Sequence, residues 1–209
     1  MEKYKQRASQ AGILLANGGV RSKTLQTYLQ EKVKEQIYGV EKSFSSKYTQ
    51  KGIEVEDKAI DYAIKALNLP FVMKNEKPFE DEFFTGTPDI ILDDEILDIK
   101  SSWDCFTFPL FVDSIMKKEG EPYSEYRNYY CQLQVYMYLT GKRKARLCYV
   151  LMNTPDGVAD WEEKHDYSNI EDKYRIKTFN VEYNPDCIMK LQEGVKDARK
   201  YINQLLTAA

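Results

Sequence analysis

Two hydrophobic periods alternate along the chain, and the places where one gives way to the other outline its elements. From Ser22 onward, Tyr28, Leu29, Val33 and Ile37 recur at helical spacing against a charged opposite face, with Ser22 and Thr24 as N-terminal capping residues. This predicts a first helix, an outer arm within residues 1–45. A second helix is predicted from Thr49 to Leu67, with Ile53, Ile60, Ala63, Ile64 and Leu67 as its core face and Pro70 beyond its end. The period then shortens. Short runs at Phe79 to Phe84, Asp89 to Leu92 and Glu95 to Lys100, separated by turn residues, predict a meander of three strands. After a loop holding Pro109 and Pro122, the run from Tyr129 to Gly141 reads as a buried helix closed by glycine. Ala145 to Met152 reads as a strand covered on both faces. Residues 153–174 form an irregular excursion, Tyr174 to Tyr183 another strand, and Pro185 to Leu206 a closing amphipathic helix with proline in its first turn. The order helix, three strands, helix, strand makes an α/β layered domain, one domain over residues 1–209.

Composition narrows the classes of function. The 209 residues are 43% hydrophobic and 30% charged, without a run near the ~20 apolar residues of a membrane span. The N-terminal apolar run is too short, and too far behind polar residues, for a secretory signal, so a cytoplasmic setting without membrane contact is expected. Cys105, Cys131, Cys148 and Cys187 are scattered without a CxxC pair, which speaks against both a zinc ribbon and a disulfide framework. A formal charge of −3 excludes binding to nucleic acid through bulk basicity. A local basic stretch remains at Gly141 to Arg146, where Lys142 and Arg143 are either nucleic-acid contacts or a solvated turn. His165, the single histidine, lies in a polar segment, which leaves a Ser-His-Asp hydrolase without support.

The chemistry concentrates in TPDIILDDEILDIKSSWD, residues 87–104. If Asp93 and Asp94 form a two-residue turn, Leu92 faces Glu95, Ile91 faces Ile96, Ile90 faces Leu97 and Asp89 faces Asp98. Opposed carboxylates repel unless a cation lies between them. Alternation puts Lys100 on the same face as Asp98, with the Ile99 side chain in the core and its carbonyl near the ion. Two acids and a carbonyl are oxygen donors suited to Mg²⁺ or Mn²⁺. Such an ion activates water and polarises a phosphodiester, with a lysine beside it to orient the nucleophile or neutralise charge. A D-x-K tripeptide on a strand is common by itself. Here Pro88 begins a strand, the hairpin closes in register, and Glu56 and Gln132 are polar residues in otherwise core-like helices.

Pro88-Asp89 followed by Asp98-Ile99-Lys100 resembles the signature of the PD-(D/E)XK nuclease superfamily, whose restriction-endonuclease-like core has the order αβββαβ, a mixed central sheet flanked by helices. The segment Lys51 to Glu56, KGIEVE, resembles the glycine-then-glutamate helix of its phage-exonuclease and RecB-type branches. Tyr130 to Gln134, continuing to Gly141, is similar to the Q-x-Q helix of the lambda-exonuclease-like (YqaJ) group. Together these matches cover about residues 49–152. The resemblance implies Asp89, Asp98 and the Ile99 carbonyl as metal ligands and Glu56 as a further or water-mediated one, favoured over its neighbour Glu54. It also implies Lys100 as the catalytic lysine, Gln132 beside the active site and Tyr136, on the same helix face, as a DNA-binding residue. Gln134 points elsewhere and reads as a helix-surface amide. Asp98 stands where many members have glutamate, and the cysteines do not match the iron-sulfur branch, so no cluster is expected.

The expected function is a Mg²⁺-dependent deoxyribonuclease. The resemblance alone makes it an exonuclease resecting linear double-stranded DNA for recombination or repair, with a single-strand-annealing protein as a partner and a homo-oligomeric ring as an assembly. Ser101 and Ser102 are candidates to hold a phosphate near the metals. Trp103 or Phe106 either wedges against a terminal base pair or packs in a loop. The alternatives are an endonuclease of the same superfamily and an inert DNA-binding or assembly module; the module would carry the Asp89–Asp98 repulsion for no gain.

Overall fold

A computed structural model describes residues 3–15, 19–42, 46–69, 72–158 and 164–208. Its centre is a mixed four-stranded sheet in the order β4 (Ile90–Ile91), β5 (Glu95–Ser101), β6 (Lys144–Val150), β7 (Ile176–Glu182). β5 and β6 run parallel, joined through helix α3 (Arg127–Thr140), while both outer pairs are antiparallel. Helices cover both faces. Helix α2 (Lys47–Ala66) packs on one through Ala59, Ile60 and Ala63, whereas α3 and the long α4 (Pro185–Ala208) enclose the main core on the other. This is the α/β class and the mixed, helix-flanked central sheet expected from the sequence.

β6 is the most enclosed strand because alternate residues feed opposite layers. Leu147 and Tyr149 join the main core, while Cys148 and Val150 meet Ala59 and Ala63 of α2. In α3, eight consecutive residues from Tyr130 to Met137 are buried, and Gly141 closes the helix with φ +73°. α2 starts two residues earlier than expected because Ser46 and Thr49 form a capping box: Thr49 N donates to Ser46 Oγ (3.2 Å) and Ser46 N to Thr49 Oγ1 (2.9 Å).

Three expectations need correction. The described residues among 3–38 are not an outer arm. Gln6–Arg7 form strand β1, a 3₁₀ segment follows at Ala8–Leu15, and helix α1 spans Lys23–Tyr38; Ala8, Ala11, Leu14, Leu25, Leu29 and Val33 belong to the same buried cluster as α3 and α4. The three-strand meander is also only partly formed. The Phe79 to Phe84 segment breaks into β2 (Phe79–Glu80) and β3 (Phe84–Gly86), which form a separate small sheet in which β3 pairs with both β2 and β1, and only β4 and β5 form the hairpin. Finally, Ile53 is 73% exposed. The buried stripe of α2 is Lys51, Val55, Ala59, Ile60 and Ala63, and Ile53, two residues from Val55, lies some 200° around the helix from it. Pro70 lies outside the described residues.

Candidate active site

The hairpin closes in the expected register. Leu92 N donates to the Glu95 carbonyl (2.9 Å), Ile91 pairs with Ile96 and Ile90 with Leu97. One step further the ladder gives way to a side chain: Asp89 Oδ2 accepts from Ile99 N at 2.6 Å. The Asp89 backbone is held from outside the hairpin by Asn75, whose N donates to the Asp89 carbonyl (2.7 Å) and whose Nδ2 donates to the Pro88 carbonyl (2.9 Å). No local pattern marks Asn75, because its role depends on an irregular segment crossing the strand.

Alternation along β5 divides its side chains between two layers. Leu97 and Ile99 pack with Ile60 of α2, and Ile96 joins the main core on the opposite side. Asp98 is fully buried and turned toward α3. Gln132, also buried, donates through Nε2 to Asp98 Oδ1 (3.1 Å) and to the Tyr136 hydroxyl (2.9 Å). Lys100 Nζ stands 2.7 Å from Asp98 Oδ2 and 5.5 Å from the centre of the Tyr129 ring. Asp98 Oδ2 is buried with that ion pair and no further partner among the described residues, and the hydroxyls of Ser101 and Ser102 are buried without a hydrogen-bond partner. Gly86 makes room for this cluster, since a Cβ there would come within 2.6 Å of Tyr136 Cε1 and 2.8 Å of Ala8 Cβ.

Two carboxylates thus face one ammonium in a water-poor site. Burial, and then the nearby Asp98 charge, push the Asp89 pKa well above the usual carboxylate range; Lys100 and the Ile99 N–H oppose them without winning. Burial disfavours the Lys100 ammonium, but Asp98 and Asp89 together outweigh it and hold the lysine above its ordinary pKa. Because the folded pKa of Asp89 exceeds its unfolded value, the stability linked to its protonation is full below the ordinary carboxylate pKa and is lost as pH rises through the folded value. In EDTA, urea unfolding should therefore show wild-type stability falling relative to Asp89→Asn between about pH 4 and about pH 7. Parallel curves for the two proteins would exclude the shift.

The other expected residues are placed less uniformly. Glu56 is exposed on α2, and its Oε1 is 2.7 Å from Lys74 Nζ, which also holds Asp57 Oδ1 at 2.8 Å. Among the described residues, no group of three or more His, Cys, Asp or Glu side chains converges as a metal site. Tyr136 is buried beside Gln132 rather than presented to a ligand. Lys142 and Arg143 are not part of the cluster. Lys144 pairs with Glu95 at the start of β5, so this turn lies roughly 15 Å of strand away from Lys100. Lys142 Nζ donates to the Asp93 carbonyl (2.7 Å), and Arg143 stacks 4.3 Å from the Tyr183 ring centre. Together with the two-bond Arg146–Glu95 ion pair, the basic run braces the far end of the hairpin. Gln134 is not a surface amide. It is fully buried, donates to the Glu182 carbonyl (2.8 Å) and accepts from Asn184 N (2.7 Å), which joins α3 to the end of β7.

Lys51 was not expected to be buried. Its Nζ donates to the carbonyls of Trp103 (2.6 Å) and Met152 (2.9 Å), tying the start of α2 to the segments that leave β5 and β6. Burial pushes its pKa down to about 8, with Asp104 pulling the other way. A sequence signal existed, in that Lys51 shares the helical stripe of Val55, Ala59 and Ala63.

The donor set fits a hard divalent cation. Asp98 Oδ2 is a buried oxygen whose partner is the Lys100 ammonium, Asp89 lies close enough for the two carboxylates to repel, and the Ile99 carbonyl lies between Asp98 and Lys100 on the same strand. One or two carboxylates completed by water and substrate oxygens are the usual Mg²⁺ environment.

No protein-family model matches the chain, and no curated protein matches it. Among solved structures it is similar to the crystal structure of a phage related exonuclease from Haemophilus somnus 129PT, with TM-score 0.84 and 28% identity over 99% of this chain and 97% of that one. It is also similar to an alkaline exonuclease (LHK-Exo) from Laribacter hongkongensis, with TM-score 0.67 and 17% identity over 98% and 90% of the two chains. The complex of LHK-Exo with dAMP superposes equally well, at TM-score 0.67 and 18% identity over 98% of this chain and 90% of that one. The likeness extends over nearly the whole chain in each case, so the fold built here around Asp89, Asp98 and Lys100 is one shared with exonucleases of known structure.

Proposed function

We propose that this chain is a divalent-metal-dependent deoxyribonuclease of the PD-(D/E)XK type, acting as an exonuclease on linear double-stranded DNA. The observation that carries the reading is the Asp98 carboxylate: it is fully buried, one of its oxygens has the Lys100 ammonium as its partner, and a second carboxylate, Asp89, shares that single cation. An arrangement that leaves buried charge unbalanced is costly unless a ligand completes it. The likeness to solved exonucleases favours the same chemistry.

Asp89, Asp98 and the Ile99 carbonyl would hold Mg²⁺, or Mn²⁺ in its place. When bound, such an ion lowers the pKa of a water and withdraws charge from a phosphodiester oxygen. Gln132 fixes the Asp98 carboxylate, and Tyr136 fixes Gln132, so the acid enters the reaction already oriented. Lys100 carries a proton throughout the physiological range and places positive charge where the phosphate becomes more negative. Glu56 joins as a further or water-mediated ligand, because an exposed ion pair such as Glu56–Lys74 is worth only ~0–1 kcal/mol and releases it cheaply. Ser101 and Ser102 offer unpartnered hydroxyls to a phosphate oxygen.

The deciding experiment digests end-labelled linear duplex with Mg²⁺, with Mn²⁺ and with EDTA, beside a covalently closed circle. Nucleotide release from the linear substrate that needs metal and spares the circle is expected. Cutting of the circle would make the protein an endonuclease, and inactivity in every arm would leave the inert binding module.

A further inference from the structure

Beyond the carboxylates, β5 runs out into a cluster of rings and cations. Trp103, three residues past Lys100, meets Tyr48 from the first turn of α2 edge to face, with ring centres 4.9 Å apart and planes at 74°. Lys47 Nζ lies 5.7 Å from the centre of the Tyr48 ring and 5.5 Å from that of Trp103, and Lys51 Nζ lies 5.6 Å from the Trp103 ring. Tyr48 is 58% exposed.

The chain carrying these rings is held firmly. Ser102 N continues the pairing of β5 by donating to the Val150 carbonyl (3.0 Å), and Lys51 grips the Trp103 carbonyl from the core. Next, the Asp104 carboxylate accepts from Phe106 N (3.1 Å), Thr107 N (2.8 Å) and Thr107 Oγ1 (2.9 Å), while Cys105 N donates to the Tyr167 hydroxyl (3.1 Å). This turn holds Phe106 out at 88% exposure. A large ring fixed on a braced turn, with no other ring against it among the described residues, forgoes the burial that a loop phenylalanine ordinarily gains.

We propose that Tyr48, Trp103 and Phe106, with Lys47, form a stacking platform for single-stranded DNA continuous with the Asp89–Asp98–Lys100 site. The assignment rests on the nuclease reading, and its occupant follows from chemistry. Rings interleaved with ammonium groups suit a polyanion whose monomers each carry a π face. A duplex hides those faces except at its end, whereas a single strand offers one per nucleotide to successive rings. Continuity with a phosphodiester-binding site argues against an acidic peptide, and the cations argue against a purely apolar partner. The platform would take a strand freed from its complement and keep its phosphates in line with the carboxylates.

Binding of oligothymidylate about 10 nucleotides long, measured in EDTA, tests this apart from turnover. In a Trp161→Phe background, fluorescence reports Trp103 alone. Oligothymidylate should quench it, and an abasic oligomer of equal length and charge should bind at least about tenfold more weakly. Phe106→Ser should also weaken oligothymidylate binding about tenfold, and its exposure keeps the substitution from disturbing the fold. Equal affinity for the abasic oligomer, or unchanged affinity in Phe106→Ser, would overturn the platform. Either result leaves nucleotide release from linear duplex, the measure of the nuclease reading, standing or falling by itself.

Discussion

Lys100→Met is expected to reduce metal-dependent nucleotide release from linear duplex by at least about 10²-fold, because it removes the positive charge aimed at the reacting phosphate. It should also destabilise the metal-free protein. Asp98 is fully buried and Lys100 is the cation 2.7 Å from it, so the substitution leaves a buried carboxylate uncompensated, which typically costs ~3–5 kcal/mol. Mg²⁺ should then raise the melting temperature of Lys100→Met more than that of wild type, since the ion takes over part of the lost charge balance. Lys100→Arg is not expected to restore turnover, because the guanidinium fork does not reproduce a compact ammonium in this space. Single-turnover rates and urea unfolding, each with and without Mg²⁺, read the two effects separately. A variant that keeps its stability but loses turnover would mean Lys100 acts only on the phosphate; one that keeps full turnover removes the lysine from the chemistry.

The second large effect concerns Lys51. Its ammonium is buried against two carbonyls, with its pKa pushed down to about 8 by desolvation. A neutral amine still has the two N–H donors that Trp103 and Met152 require, so losing the charge costs the protein no hydrogen bond. The folded pKa lies below the unfolded one. The associated stability is therefore present above the unfolded lysine pKa and lost as pH falls through about 8. Wild type should gain up to ~3 kcal/mol relative to Lys51→Met between about pH 8 and about pH 10. At neutral pH the variant leaves two carbonyls without their donor, at ~1–3 kcal/mol each, but no longer buries a charge. Urea unfolding of both proteins across this range decides the matter, and pH profiles that run parallel would show that Lys51 is solvated. Since Lys51 anchors Trp103, Lys51→Met should also weaken the oligothymidylate response.

The β4–β5 register is local physics. A two-residue turn and a period of two leave one pairing that buries Ile90 with Leu97 on one face and Ile96 on the other, and that pairing brings Asp89 to Asp98. The Gly141 helix end, the doubly covered β6 and the Pro185 start of α4 were legible for the same reason, being set by neighbours a few residues away. Gln132 was legible as a polar residue among buried ones, although its link through Tyr136 was not.

What the amino-acid order determined, then, was the α/β alternation and a strand on which Asp98 and Lys100 share a side. What only tertiary structure decided was every choice that depends on remote partners. The Phe79 to Phe84 segment pairs with residues 6–7 rather than with β4, because a two- or three-residue strand carries too little pattern to name its neighbour. Lys142 and Arg143 serve the hairpin turn because the parallel pairing of β5 and β6 puts them at the end opposite Lys100. Gln134 and Lys51 sit inside because carbonyls from β7 and from the segments that follow β5 and β6 meet them there, and a polar side chain can be buried only where such acceptors arrive from elsewhere in the fold.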